Sequence, residues 1–299
     1  MKMLSLALTS IPVPTLRRGV VVMLLSVLAF SANSLLLRYL SGAEKGIAPE
    51  VPLLFRAAVG MFIVLVFFRG RRPTRIVPVF REKLLILRGL TGLLGTAAYY
   101  WTVPTLGAGT ATLICNTYVI FASIIAVMAL GEHLTVPRFL WLATSFVGIV
   151  FLVGSSADAG FAFGVNEAVA LGGALLAASS VVLVRRLVEE HSIATIYLSQ
   201  CIWIFLPVVV IAGPQLFELS AVDLGLLIVG GSMAGFGQLA MNEGYRCLSV
   251  STGASLQMLW PVLTMTGGWL IFDERLTHVQ MLGAILILVG IWRVSVSKR

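Results

Sequence analysis

The sequence is poor in charged residues and in cysteine. Only 11% of its 299 residues are charged, 59% are apolar, and the mean hydropathy is +1.00. Soluble domains average about 25% charged and about 45–50% apolar residues, so this composition predicts an integral membrane protein. The three cysteines, Cys115, Cys201 and Cys247, are far apart and form no CxxC pair. Their spacing indicates neither a disulfide framework nor a zinc site.

Sequence motifs of enzymes are missing as well. The chain has no HExxH, GxSxG, Walker A or strand–helix GxGxxG pattern, and no pair of aspartates inside an apolar stretch. All three histidines, His133, His191 and His278, fall in predicted loops. We therefore expect no catalytic residue, no metal and no organic cofactor. Two alternatives to a transporter stay open, an intramembrane enzyme and a structural membrane protein that transports nothing.

Long apolar stretches fill most of the chain. A helix crosses a bilayer core about 30 Å thick with roughly 20 apolar residues. This criterion predicts an all-α fold with ten transmembrane helices. The predicted spans are 19–40, 51–68, 84–103, 108–130, 137–153, 166–187, 193–212, 221–242, 250–272 and 279–295. Residues 1–18 are predicted to be a cytoplasmic tail rather than a cleaved signal, since Pro12 and Pro14 interrupt their apolar run.

The cationic residues are concentrated in loops on one side of the predicted spans. Sixteen fall on the side of both termini and two, Lys45 and Arg275, on the other. The positive-inside bias then places both termini in the cytoplasm. These loops account for the net charge of +8, so nucleic acid is not expected as a partner. Arg38, Arg56 and Arg88 fall inside spans near their ends, where we expect them to snorkel to the interface.

The second half of the sequence repeats the first. Residues 110–149 align without gaps on residues 252–291, with GEHLT in the first segment over DERLT in the second. A weaker similarity pairs residues 33–38 with residues 180–185. Such self-similarity indicates two structural repeats.

Each repeat contains five predicted spans, and an odd number forces the second repeat to insert in the opposite orientation. The predicted organisation is a first five-helix repeat at 19–153, a linker at 154–165 and a second five-helix repeat at 166–295. Inverted repeats are typical of transporters, with the substrate site near the midplane between them.

These motifs also carry a resemblance to a known family. Each half ends in G/D-E-x-L-T followed by an apolar helix, and the second half contains ASLQMLWP at 254–261 and LGAILILVG at 282–290. The chain resembles the drug/metabolite transporter superfamily, specifically its EamA-type ten-helix members. The resemblance covers essentially the whole chain and implies an exporter similar to the amino-acid exporters, including the YddG type that releases aromatic amino acids. The first half departs from the pattern, because Val119 stands where Pro261 stands in the second.

Polar side chains recur on one face of several predicted spans, for example Gln238 with Asn242 in the eighth span and Gln257 with Trp260 in the ninth. In lipid, such side chains should face other helices or a water-filled cavity. For each amide taken alone, a bond to a neighbouring helix is an equally good explanation, but together the faces favour a cavity. The predicted substrate-binding residues are Asn33, Tyr99, Asn116, Tyr197, Gln200, Gln238, Asn242, Gln257 and Trp260. Pro261 is predicted to be a hinge, because it removes a backbone hydrogen bond inside the ninth span.

Acidic residues are absent from the middle of the predicted spans. All thirteen fall in loops or near span ends, and Glu243 is the deepest. Proton-coupled carriers usually hold a titratable relay inside the membrane, so facilitated diffusion is favoured, with coupling through Glu243 or Glu132 as the alternative. The paired Glu132 and Glu274 also have a structural explanation, as caps of the helices that follow them.

The sequence thus predicts a multi-pass transporter of the inner (plasma) membrane. It exports small metabolites, amino acids with apolar or aromatic side chains first, by alternating access around a midplane cavity. Its expected partners are the small-molecule substrate and the lipid bilayer. The sequence leaves open the exact cargo, the direction of flux, the coupling and the oligomeric state, for which a monomer would suffice.

Overall fold

The structure, a computed structural model, describes residues 16–68, 76–130, 136–154, 164–248, 253, 256–257 and 259–296. Most of the predicted tail and linker, and the 131–135 motif with Glu132, lie outside the described residues. Within the described ranges every regular element is a helix, as predicted. The helices are α1 (Leu16–Ser41), α2 (Glu50–Phe67), α3 (Val77–Arg81), α4 (Lys83–Leu106), α5 (Ala108–Asn116), α6 (Tyr118–Leu130), α7 (Val136–Gly154), α8 (Val165–Leu187), α9 (Ile193–Ala212), α10 (Ala221–Cys247), α11 (Leu259–Phe272) and α12 (His278–Val296). A 3₁₀ helix, Gly213–Glu218, follows α9.

Five helical segments in the described part of the chain are long and apolar enough to cross a membrane. They are α1, α2, α8, α9 with its 3₁₀ extension to Glu218, and α10. The stretches Ala108–Ala122, Leu259–Phe272 and His278–Gly290 are apolar but shorter. Large apolar side chains are exposed on the helices, among them Phe62 at 61% and Val210 at 76%, as expected where helices face lipid. The number of ten spans stays a prediction.

The fourth predicted span is interrupted at Thr117. The helix α5 ends at Asn116 and α6 begins at Tyr118. Thr117 Oγ1 donates to Ile114 O at 2.6 Å, and Thr117 N donates to the same oxygen at 3.1 Å. A threonine hydroxyl that bonds a nearby carbonyl competes with the regular helical ladder. The apolar pattern on both sides conceals this interruption.

Helices of the two halves pack against each other in a symmetric pattern. The repeat pairs the helices one by one: α1 corresponds to α8, α2 to α9 and α4 to α10. The interrupted helix α5–α6 corresponds to α11, and α7 corresponds to α12. Exchanging the halves turns the α1–α10 contact into the α8–α4 contact and the α2–α10 contact into the α9–α4 contact. It also turns the α6–α8 contact into the α11–α1 contact. The pairs α2–α9, α5–α11 and α7–α12 map onto themselves. The interior of the protein therefore lies along the boundary between the halves.

The helices α7 and α12 approach closely at two glycines that the repeat aligns. A Cβ on Gly148 would lie 2.7 Å from Gly283 O, and one on Gly290 would lie 2.8 Å from Trp141 O. Real Cβ atoms do not come this near to a carbonyl oxygen. Small residues allow such backbone contact between membrane helices, so these two positions hold the fifth helices of the two repeats together.

The start of α12 is capped by residues other than Glu274. Thr277 N donates to Gln280 Oε1 at 2.9 Å, and Gln280 N donates to Thr277 Oγ1 at 3.2 Å. This reciprocal pair is a capping box and satisfies two amide groups of the first turn. The expectation that Glu274 caps the following helix is therefore wrong, because Glu274 is bound elsewhere.

Candidate functional site

A cavity of about 110 Å³ lies between the two halves. Nine of the described helices contribute to its wall, all except α3, α7 and α12. The polar lining residues are Asn33, Arg56, Arg88, Thr91, Thr96, Tyr99, Tyr118, Ser180, Gln200, Gln238, Asn242 and Tyr245. Within the described part of the chain, no aspartate or glutamate lines it.

The cavity extends from the middle of the bundle towards one face. The lining residues of α8 lie between Ala177 and Val184, and those of α10 between Gln238 and Tyr245. Both groups of residues lie in the C-terminal part of their helix. That part is nearer the face that the cationic loops predict to be cytoplasmic. The cavity therefore occupies the middle of the bundle and its predicted cytoplasmic half.

One side of the cavity is a chain of hydrogen bonds that starts at an arginine. Arg56 of α2 is 6% exposed and donates from Nη2 to Gln238 Oε1 at 3.1 Å. Gln238 Nε2 in turn donates to Asn242 Oδ1 at 3.2 Å. The guanidinium also lies over the rings of Phe30 and Tyr100, with its Cζ 5.8 Å from each ring centroid. The amide Nδ2 of Asn242 makes no hydrogen bond to any described residue.

A second arginine chain joins α4 to α9. Arg88 is 2% exposed and donates from Nη2 to Gln200 Oε1 at 2.9 Å. Gln200 Nε2 donates to Thr96 Oγ1 at 3.0 Å. The α2–α10 and α9–α4 contacts are equivalent under exchange of the halves, and each is bridged by an arginine of the first half and a glutamine of the second.

A hydroxyl cluster of Ser34, Tyr99, Thr112 and Trp260 lies at the cavity wall and joins the two halves. Tyr99 Oη donates to Ser34 Oγ at 2.6 Å, and Trp260 Nε1 donates to the same oxygen at 3.2 Å. Because a phenol has a single proton, the 2.8 Å contact between Tyr99 and Thr112 makes Thr112 the donor. The Trp260 ring also packs against Phe30 and Tyr99, with centroids 5.4 and 5.6 Å away. This side of the cavity is therefore aromatic and tightly bonded.

An outer ion cluster of Arg38, Glu44 and Glu274 lies at the face opposite to the predicted cytoplasmic one. Arg38 Nε donates to Glu274 Oε1 at 2.9 Å, and Arg38 Nη1 lies 3.1 Å from Glu44 Oε2. Glu274 also accepts from Ala108 N at 3.1 Å and from Gly109 N at 3.3 Å. Glu274 thus caps α5, a helix of the other half, and its charge suits that helix N-terminus.

The predicted cytoplasmic end contains a different set of contacts. Glu243 Oε1 lies 3.0 Å from Arg18 Nη2 and 2.7 Å from Arg246 Nη2. Deeper in, the hydroxyls of Tyr118 and Tyr245 lie 3.0 Å apart in the cavity wall. Both ends of the cavity are therefore crossed by polar contacts, and Glu243 is paired with two cations rather than facing the cavity.

Comparison with known families decides the identity of this arrangement. The model of the EamA-like transporter family matches the chain twice, at residues 17–154 and 166–296. The chain belongs to the EamA-like transporter family. It carries two copies of the EamA domain, within the drug/metabolite transporter superfamily that the sequence resembles. The members of this family are transporters rather than enzymes, and this supports a non-enzymatic role for the chain at the level of the family.

EamA-like proteins with assigned roles are similar to this chain at low identity. The pseudopaline exporter CntI of Pseudomonas aeruginosa is 23% identical over 292 residues, 95% of this chain and 98% of its own. The threonine/homoserine exporter RhtA of Escherichia coli is 29% identical over 245 residues, 80% of this chain and 79% of its own. A probable amino-acid metabolite efflux pump of Escherichia coli is 23% identical over 271 residues, 81% of this chain and 85% of its own.

A solved crystal structure shares the fold of this EamA-like chain. It superposes with a TM-score of 0.62 at 17% identity, over 92% of this chain and 95% of the other. Identity this low shows a common architecture alone.

Six of the nine predicted substrate-binding residues line the cavity of this EamA-like protein. They are Asn33, Tyr99, Gln200, Gln238, Asn242 and Trp260. Their role in binding stays a prediction.

The other three predicted binding residues are not brought to the cavity wall. Gln257 donates from Nε2 to Met23 Sδ at 3.0 Å and to Ser26 Oγ at 3.3 Å, as a helix-packing amide does. Tyr197 is buried, and a Cβ on Gly60 would lie 2.4 Å from its hydroxyl, so it lies against α2.

Asn116 and Pro261 also lie away from the wall. Asn116 is fully buried at the end of α5, and its amide makes no hydrogen bond to any described residue. Pro261 is buried two residues after the start of the described α11. Residue 258 lies outside the described residues, so the course of the helix just before Pro261 is not described. The hinge at Pro261 therefore stays a prediction.

Sequence reasoning missed the two arginines. The expectation that Arg56 and Arg88 snorkel to the interface is wrong, because both side chains are buried and line the cavity. Arg38, in contrast, reaches the outer ion cluster. The available signal was their position: Arg56 and Arg88 lie six and five residues inside α2 and α4, about 8–9 Å along the helix axis at 1.5 Å per residue.

Proposed function

We propose that this protein exports small metabolites across the inner membrane, with amino acids as the first candidates, by alternating access around the cavity. The observation that carries the proposal is the cavity itself, bounded by both repeats of a transporter-family chain. Export is also what the names of similar proteins state for themselves, with amino acids among their cargoes. Transport of a polar solute through lipid requires such an internal site.

The chemistry of the wall suits an amphiphilic cargo. Trp260, Phe30 and Tyr99 offer rigid apolar surface for an aliphatic or aromatic side chain. The amides of Gln238 and Asn242 on the other side supply donors and acceptors for the polar groups of an amino acid. A buried polar group of the cargo needs such partners, because leaving it unpaired in the membrane interior is costly.

The arrangement of contacts supports an alternating-access cycle. The hydroxyl cluster and the outer ion cluster join the two halves on the outer side, while the cavity occupies the predicted cytoplasmic half. This is the arrangement expected of a carrier that receives cargo from the cytoplasm. Breaking the outer contacts and forming new ones at the opposite end would expose the same cavity to the outside.

Flux in liposomes tests the proposal. Purified protein should equilibrate radiolabelled amino acids across the membrane without an imposed pH gradient and should not accumulate them above equilibrium. The reason is that no described carboxylate lines the cavity and that Glu243 is held by Arg18 and Arg246. Accumulation that follows a pH gradient and disappears in Glu243→Gln would contradict this expectation. Empty liposomes give the background, and absence of flux for every amino acid tested would overturn the amino-acid assignment.

Reporter fusions test the predicted orientation. Tags at both termini should report a cytoplasmic location and a tag inserted at Gly160 an extracytoplasmic one, because sixteen cations lie on one side of the spans and two on the other. A pair of reporters that are active on opposite sides of the membrane makes the result independent of expression. Termini on opposite sides would rule out ten spans and the inverted repeats.

A further inference from the structure

Two arginines in the cavity wall have no negatively charged partner among the described residues. None of the ion pairs among the described residues involves Arg56 or Arg88. The Nε atoms of both, and Nη1 of Arg88, are buried without a hydrogen bond to any described residue. Among the described residues each guanidinium therefore has neutral partners only, an amide for both and also the rings of Phe30 and Tyr100 for Arg56, and each keeps a donor unused.

An uncompensated guanidinium inside a membrane protein is costly. Arginine stays protonated under physiological conditions, so burial cannot remove its charge. The oxygens of Gln238 and Gln200 accept one hydrogen bond each, which orients the guanidinium groups without neutralising them. Ionisable residues in this position usually belong to a substrate or ion pathway. No described residue of the cavity wall supplies the counter-charge, and a ligand that enters the cavity can supply it.

We propose that Arg56 and Arg88 are the anion-binding groups of the cavity and that the cargo is an organic anion whose carboxylate groups pair with them. The inference rests on the proposed export function and names its substrate class. Guanidinium groups match carboxylates in shape, because parallel N–H donors face the two oxygens. With two cations and no described carboxylate in the wall, the cavity favours net-anionic carboxylates over neutral analogues and rejects cations.

The two arginines approach the cavity from different helices and from different levels. Arg56 lies six residues inside the outer end of α2 and Arg88 five residues inside the predicted cytoplasmic end of α4. Both line the same cavity, so a cargo with two acidic groups can reach both. The aromatic side chains of Phe30 and Trp260, which also line the cavity, then face the carbon skeleton between the acidic groups.

Binding to the purified full-length protein tests the inference without requiring transport. The probe is radiolabelled glutarate, a dianion, and the competitors are glutamate, glutamine and the neutral diamide glutaramide. Glutarate should bind, glutamate should displace it better than glutamine, and glutaramide should not displace it. Equal displacement by glutarate and glutaramide, or no saturable glutarate binding, would overturn the assignment.

Variants assign the binding to these residues. Arg56→Gln and Arg88→Gln should each weaken glutarate affinity at least about tenfold, the loss expected for one hydrogen bond to a charged group. Arg56→Lys and Arg88→Lys keep the charge and should retain part of the affinity, which a merely structural role of the arginines would not predict. Arg275→Gln removes a 74%-exposed arginine and is the matched control, with wild-type affinity expected. Wild-type affinity in both glutamine variants would overturn the proposal.

The two proposals fail in different ways. Carboxylate-dependent binding without any flux in liposomes would leave the anion site in place and contradict the export function. Flux of amino acids that is unchanged in Arg56→Gln and Arg88→Gln would leave export in place and contradict the anion site. A melting-temperature measurement on each variant separates loss of binding from loss of folding.

Discussion

Replacing Glu274 by glutamine should speed up the reaction of Cys115 with a membrane-impermeant thiol reagent that is added outside the cell. We expect the labelling rate to rise roughly ten- to a hundredfold. Cys115 lines the cavity, whereas Cys201 is buried and can be replaced by serine together with Cys247. The carboxylate of Glu274 accepts charge-assisted hydrogen bonds from Arg38 and from the start of α5. Losing a bond to a charged group costs about 1.5–3 kcal/mol, which shifts a two-state equilibrium by that factor towards the state open to the outside.

The neighbouring Asp273 provides a matched control for Glu274. Asp273 is 74% exposed and pairs only with Arg275 among the residues described, so Asp273→Asn removes the same charge without touching the contact between the halves. We expect its labelling rate to equal that of the parent. Equal rates in Glu274→Gln and Asp273→Asn would show that the outer ion cluster does not control access.

The internal repeat extends this prediction to the opposite end. Glu132 is aligned with Glu274, and the predicted inversion places it on the cytoplasmic side. Glu132 lies outside the described residues, so this expectation rests on the repeat alone. Glu132→Gln should favour the state open to the cytoplasm and should not increase labelling of Cys115 from outside. Acceleration by both variants would contradict an alternating pair.

Asn242→Ala should lower flux by roughly ten- to a hundredfold at low substrate concentration. Gln257→Ala should instead lower the melting temperature and leave flux per folded protein near wild type. Asn242 presents in the cavity wall an Nδ2 donor that bonds no described residue, and it accepts from Gln238. Removing it deletes a hydrogen bond to a charged cargo and leaves the Gln238 amide short of a partner.

Gln257 is the matched amide on the packing side. Its Nε2 contacts Met23 and Ser26 of α1, outside the cavity, so truncation leaves a gap between helices. Transport and thermal stability are measured on the same purified preparations. If Gln257→Ala loses flux at an unchanged melting temperature while Asn242→Ala transports normally, the cavity wall assigned here does not contact the cargo.

The candidate site could be predicted in part because its polar residues follow helical spacing. Gln238 and Asn242 are one turn apart, and the prediction that they share a face was enough to place both. The same rule grouped Gln257 with Trp260, yet only Trp260 lines the cavity. Spacing along one helix shows which residues share a face. It cannot show which neighbour that face meets.

The charged residues show the same division between local pattern and tertiary contact. Arg56 and Arg88 lie near span ends, and the sequence favoured snorkelling because their depth along the helix does not by itself show that both side chains turn inward. Glu274 precedes α12, so a cap on that helix was the natural expectation. Its carboxylate instead binds Ala108 N, 166 residues away in sequence.

The membrane class, the all-helical fold, the family and the internal repeat follow from the sequence by itself. These properties depend on composition, on apolar runs and on motifs, all of which are present in the order of the residues before the chain folds. The positions of the cavity, of its two arginines and of the outer ion cluster were decided by the tertiary structure. Each depends on distances between helices of different repeats, and a membrane helix presents polar groups to whichever neighbour or cavity is there.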